Sequence, residues 1–114
     1  MPKRIQRKRS KGWRLPPNAV IVSRPSRWGN PFVVTAYPGG FVVDGPGMIV
    51  PEVFTNRRTA AAYAVMLYSM FLKVSNTDVS ELAGFDLACY CPLDDPCHAD
   101  VLLELANPLQ VVDG

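Results

Sequence analysis

The chain has 114 residues, 48% hydrophobic and 19% charged, which fits one globular domain and excludes a chain disordered throughout. Its longest uncharged apolar stretch, Ala60 to Leu72, has 13 residues against the roughly 20 needed to cross a bilayer, so no membrane partner is expected. The formal charge of +2 hides an asymmetry: Lys3, Arg4, Arg7, Lys8, Arg9, Lys11 and Arg14 all precede the first acid, Asp44, while residues 15–114 carry five cations and ten acids.

The basic start, residues 1–18, reads as a flexible arm, and 19–114 as a single α/β domain. Leu15–Pro16–Pro17–Asn18 interrupts any signal-peptide core. A basic arm from Lys3 to Arg14 makes nucleic acid a candidate partner; the plain alternative is a solvated tail. Ala19 to Ser23 is a short β-branched run, expected as a buried strand. Arg24 to Phe32, RPSRWGNPF, is a loop rich in Pro, Gly and Asn. Phe32–Thr35 and Phe41–Asp44 are strand-like, and Tyr37–Pro38–Gly39–Gly40 between them predicts a hairpin with a loop longer than two residues. Gly45–Pro46–Gly47 then turns into Met48–Ile49–Val50. Thr55 is the expected N-cap of a long helix. Tyr63, Met66, Leu67, Met70, Phe71 and Val74 recur at helical spacing and predict its buried stripe. Ser75–Asn76–Thr77 ends it, and Val79 to Leu82 forms a short turn closed by Gly84. Asp86 to Cys91 reads as a strand. Asp95 as N-cap and Pro96 at the first helical position start a last helix that runs to about Ala106, burying Val101, Leu102 and Leu105.

This order predicts a small α/β sandwich, a partly parallel sheet with a β-hairpin and two main helices. Ligands of such sheets bind beyond the carboxyl ends of the strands. Two strands are expected to end there in loops able to do chemistry. In the first, Arg24 and Arg27 offer planar forks for phosphate or carboxylate. Ser26 and Asn30 add neutral hydrogen bonds, Trp28 can stack or cover core, and Gly29 permits close backbone approach.

The second loop follows Cys89 and Cys91 and leads to Cys97–His98. Three cysteines within nine residues do not form a spread-out disulfide framework, which points to a reduced, cytoplasmic protein. Cys97, expected in the first turn of a helix, gains acidity from free N–H groups and the macrodipole. His98, the only histidine, supplies a general acid or base. Cys97 and His98 are therefore the catalytic candidates, with Cys91 and Asp100 beside them. A zinc set of Cys89, Cys91, Cys97 and His98 is the competing reading. Its spacing counts against it: Cys89 and Cys91 sit about 6.6 Å apart on a strand, and adjacent helical residues diverge by about 100°. No metal ligand is assigned on this basis.

The two segments RPSRWGNPF and LACYCPLDDPCHADVLLELAN, Leu87 to Asn107, resemble a bacterial and bacteriophage family catalogued as domain of unknown function 4326, and KGWRLPPNAVIV resembles its actinobacteriophage members. The signature positions map to Arg24, Pro25, Ser26, Gly29, Asn30, Pro31, Phe32, Cys89, Cys91, Cys97, His98 and Asp100. The resemblance implies a bacterial host cytoplasm and names no activity or cofactor. The reading that unites these residues is a protein binding an anionic, nucleotide-like small molecule between the two loops, through Arg24, Ser26, Arg27, Gly29, Asn30, Cys91 and Asp100. Turnover is left open, as there is no complete triad and no phosphate loop. The alternatives are a nucleic-acid-binding accessory protein acting through the arm and a zinc-stabilised interaction module.

Overall fold

A computed structural model describes residues 2–48 and 52–108. Its elements in chain order are β1 (Arg4–Gln6), β2 (Ala19–Ile21), β3 (Val33–Tyr37), β4 (Gly40–Asp44), α1 (Arg57–Val74), a short 3₁₀ turn (Ser80–Leu82), β5 (Asp86–Cys89) and α2 (His98–Ala106). The fold is α/β, with a three-stranded parallel sheet in the order β1-β5-β2 and a separate antiparallel hairpin, β3-β4. The register pairs Ala19 with Asp86 and Ile21 with Ala88, so β2 and β5 end together at one edge. No helix among the described residues is long and apolar enough to cross a membrane.

The basic start departs from the expected arm. Arg4 to Gln6 pair in parallel with Leu87 to Cys89, which leaves β5 central, with a neighbour on each side. Leu87 and Ala88 can therefore be fully buried, as befits a parallel strand covered on both faces. The hairpin is also tighter than expected. Tyr37 pairs directly with Gly40, leaving the two-residue loop Pro38–Gly39. Gly39 has φ +89°, which is the Pro-then-Gly order of a type II turn. Gly40 is required by crowding: a Cβ there would lie 2.1 Å from the Phe54 carbonyl oxygen, and Phe41 and Phe54 exchange two backbone hydrogen bonds across that approach. Ile49 and Val50 lie outside the described residues.

The N-cap of α1 is Asn56, one residue beyond Thr55, and its side chain accepts from the Thr59 N–H. The helix closes with Asn76 at φ 53°, while Asn76 N–H bonds the Lys73 carbonyl and Thr77 N–H the Leu72 carbonyl. This is a Schellman motif with Asn in the left-handed position usually given to Gly. The buried stripe of α1 is Ala60, Ala64, Tyr68 and Leu72, not the Met and aromatic stripe. Met66, Met70, Phe71 and Val74 are exposed. Small alanines let the helix approach its neighbours, the β3-β4 hairpin and α2, closely, and Tyr68 donates to the Trp28 carbonyl at 2.7 Å. The last helix starts at His98 with Cys97 as N-cap, later than Asp95–Pro96 suggested, and buries His98, Ala99, Leu102 and Ala106. Leu105 is exposed. Val22, Trp28, Tyr68, Leu72, Leu82, Leu87 and Leu102 are among the residues of one continuous core.

Candidate functional site

Parallel pairing of β2 with β5 brings the two sequence loops to one edge. Between them lies a pocket of about 430 Å³, within the range of small-molecule sites. Arg24 and Asn30 line it from the first loop, and Cys91, Pro96, Cys97 and His98 from the second. Arg9 and Arg57 enter from β1's extension and the start of α1, and no carboxylate among the described residues lines the pocket. None of Arg9, Arg24 and Arg57 forms an ion pair among the described residues.

Four of the ligand-binding residues expected from the sequence, Ser26, Arg27, Gly29 and Asp100, are not among those lining this pocket. Arg27 turns away to pair with Glu81 at 3.4 Å and lies over the Trp28 ring, and Trp28 itself is core. Asp100 pairs with Arg4 at 3.2 Å. Ser26 contributes its backbone to the turn, donating to the Ser23 carbonyl and accepting from Gly29 N–H. Gly29 works through Arg24: a Cβ there would lie 2.6 Å from Arg24 Cγ and 3.1 Å from its Cα. Asn30, although in the lining, spends its amide on the protein. Nδ2 donates to the Ala64 carbonyl and Oδ1 accepts from Phe32 N–H, which fastens the loop to α1.

The three cysteines converge. Their Sγ atoms all lie within 4.8 Å of one another, and Cys89 and Cys91 are 3.7 Å apart. The spacing argument against such a cluster assumed that the strand continued to Cys91 and that Cys97 lay inside the helix. Instead β5 stops at Cys89, and Cys97 is an extended N-cap whose side chain is free to point back at the strand end. All three are free thiols. S–H donation by Cys91, and then by Cys97, pulls the Cys89 thiol far below its ordinary value. Donating to Cys89 pushes Cys91 up to about 11 and raises Cys97 as well, with burial adding to both. The expected acidity of Cys97 is thus reversed, because donation by its sulfur to Cys89 and Cys91, together with burial, outweighs the opposing pull of the Ala99 N–H.

His98 does not join this convergent set. It is buried, and its Nε2 lies 2.7 Å from the Val22 carbonyl. A carbonyl only accepts, so Nε2–H donates and Nδ1 is left facing Cys97 Sγ at 3.8 Å. The ring packs edge-on against Tyr68. His98 therefore ties the first turn of α2 to the end of β2.

Arg4, a member of the basic stretch, has a side chain only 8% exposed. Its guanidinium donates to the carbonyls of Pro92, Leu93 and Asp95. From the other side Arg58 donates to the Asp94 carbonyl and the Asp95 carboxylate. The loop joining Cys91 to Cys97 is thus held by two guanidiniums. Arg7 donates to Ser23 Oγ, and both Arg7 and Arg9 lie within 4.5 Å of the Tyr90 ring centroid. Arg9 and Arg57 were missed as site residues. Arg57 did carry a signal: two arginines open α1 with no acid in its first turn, which opposes the macrodipole and needs a compensating use.

The chain matches no curated protein and no solved structure. Over residues 5–108 it matches the model of a family described as Domain of unknown function (DUF4326). That match spans both loops, the arginines that enter the pocket and all three cysteines, and the chain belongs to this family.

Proposed function

We propose that the chain binds a small anionic molecule, nucleotide-like in size and charge, in the pocket between the RPSRWGNPF loop and the start of α2. One observation carries this reading: Arg9, Arg24 and Arg57 line one pocket, and no carboxylate among the described residues lines it with them. Three guanidiniums around one pocket, none ion-paired among the described residues, repel one another, and a multivalent anion relieves that cost while accepting their planar hydrogen-bond forks. Tyr90 and Phe32 in the same lining offer apolar surface for a base or another flat group. The three unbridged thiols suit a reducing bacterial cytoplasm. The nucleic-acid reading is weakened because Arg4 and Arg7 are committed within the fold.

Calorimetric titration with inorganic phosphate and with a nucleoside monophosphate tests the proposal. Saturable binding by the full chain is expected, weakened at least about tenfold by Arg24→Ala or Arg57→Ala, as one charge-assisted contact is worth about 1.5–3 kcal/mol. Absence of binding to both anions, or binding indifferent to both substitutions, overturns it.

A further inference from the structure

We propose that Cys89, Cys91 and Cys97 bind one zinc-type metal ion through three thiolates, with the fourth coordination position open to the arginine-lined pocket. Four observations carry the metal site. The first is distance. Zinc–thiolate bonds of about 2.3 Å in a tetrahedron set sulfurs about 3.8 Å apart. Cys89 and Cys91 already stand at 3.7 Å, and all three sulfurs fall within 4.8 Å of one another, so an ion needs only a small contraction.

The second is support. Metal sites need their ligands held by surrounding contacts. Arg4 and Arg58 clamp the segment between Cys91 and Cys97 through backbone carbonyls and Asp95. Cys89 is fixed as the end of the central strand, where its carbonyl accepts from Arg7 N–H. The third is donor type: an all-sulfur set is soft and selects zinc over magnesium or calcium.

The fourth is charge. Three thiolates and a divalent cation leave a net charge of −1, which the guanidiniums in the lining offset with charge to spare. His98 is not the fourth ligand, because its Nε2 is held by the Val22 carbonyl and the ring lies outside the converging set. Three protein ligands and an open position is the arrangement of metal centres that bind substrate or water, whereas structural zinc sites are closed. All three sulfurs are thiolates once the ion is bound, any displaced proton passing to solvent, and the pocket anion or a water occupies the fourth position. The open position rests on the anion-pocket reading; the three-thiolate site stands without it.

Cobalt substitution tests both parts separately. The full chain, purified under reducing conditions and freed of metal, is titrated with Co²⁺ and then with inorganic phosphate. Expected are one Co²⁺ per chain, a sulfur-to-cobalt charge-transfer band in the near ultraviolet and intense tetrahedral d–d bands. Phosphate should then shift the d–d bands, and Arg24→Ala should raise the phosphate concentration needed. Zinc should displace the cobalt stoichiometrically. Cys89→Ser, Cys91→Ser and Cys97→Ser should each weaken zinc binding in competition with a chromophoric chelator by more than roughly 100-fold, beyond what losing an outer-sphere partner costs. The wild-type cobalt spectrum decides the matter even if a variant does not fold.

Absence of the charge-transfer band at saturating Co²⁺ overturns the metal site. In that case calorimetric phosphate binding decides the anion pocket independently. A thiolate–cobalt spectrum untouched by phosphate that nevertheless binds calorimetrically overturns the open position alone.

Discussion

At the scale of single residues, the site depends on side chains that never reach it. Tyr68 is the clearest case. Only 2% exposed, it links α1 to the first loop through the Trp28 carbonyl and lies edge-on to His98. Burial raises its pKa from 10.0 to about 12. The sign follows directly. A group whose pKa is raised in the folded state contributes its full stability below the unfolded value and loses it as pH climbs through the folded one. Unfolding free energy should therefore fall between about pH 10 and 12, by on the order of 2 kcal/mol for a shift of this size. Tyr68→Phe should flatten that part of the profile. It should also cost about 1–3 kcal/mol at neutral pH, since the Trp28 carbonyl loses its buried donor. Denaturant melts of both proteins across this range check it. An equal alkaline decline in the two would show that Tyr68 is not the group responsible.

At the scale of elements, the strand β1 is the least expected feature and the most consequential. Three residues, Arg-Ile-Gln, set in a stretch dense in cations carry little strand signal, so Arg4–Gln6 was indistinguishable from a solvated tail. Only Ile5 between Arg4 and Gln6 hints at alternation, and the parallel partner lies more than 80 residues away. The phase of α1 was obscured for a related reason. Period-3.6 patterning marks several apolar rows at once, and the larger Met and Phe side chains outweighed Ala60 and Ala64, which bury because they are small. By contrast β2 and the hairpin strands were legible, since β-branched runs between Gly and Pro turns have few other solutions, and β5 was legible as a short apolar run after Gly84. The same holds for the edge at which the loops meet, which follows from parallel pairing. The cysteine cluster was hidden by a two-residue error in where α2 begins, enough to turn Cys97 from a helix side chain into an inward-facing cap. Deleting residues 2–14 tests the weight of β1. It removes the β1–β5 ladder, with Leu87 N–H to Lys3 and Arg7 N–H to Cys89 at its ends, and strips Arg4 from three carbonyls. At about 1 kcal/mol per bond the loss should be about 3–5 kcal/mol and lower Tm by on the order of 10 °C. A melting temperature unchanged by truncation would mean that the segment is an appendage after all.

At the scale of the whole molecule, the placement of charge separates the two ways this chain could meet an anion. The body from residue 15 onward has twice as many acids as cations, yet Arg24 and Arg57 join Arg9 in a pocket with no carboxylate among the described residues of its lining. The acids are used elsewhere: Glu81, Asp95 and Asp100 neutralise Arg27, Arg58 and Arg4. Such an arrangement concentrates positive potential in one concave place on an otherwise acidic surface, and the low-dielectric walls strengthen it locally. Salt dependence reads this out. A polyanion neutralised by all seven cations of the arm would release counterions with a slope of log K against log salt near −6. A compact pocket exchanging one or two ions for a single phosphate group gives about −1 to −2, because partly buried charges are screened less than exposed ones. Binding of a nucleoside monophosphate measured from 50 to 500 mM salt, roughly a decade, should therefore fall by about ten- to a hundredfold, and Arg57→Ala should make the slope shallower by about one unit. Tight binding of duplex DNA with a slope near −6, alongside monophosphate binding too weak to measure, would transfer the function from the pocket to the basic start.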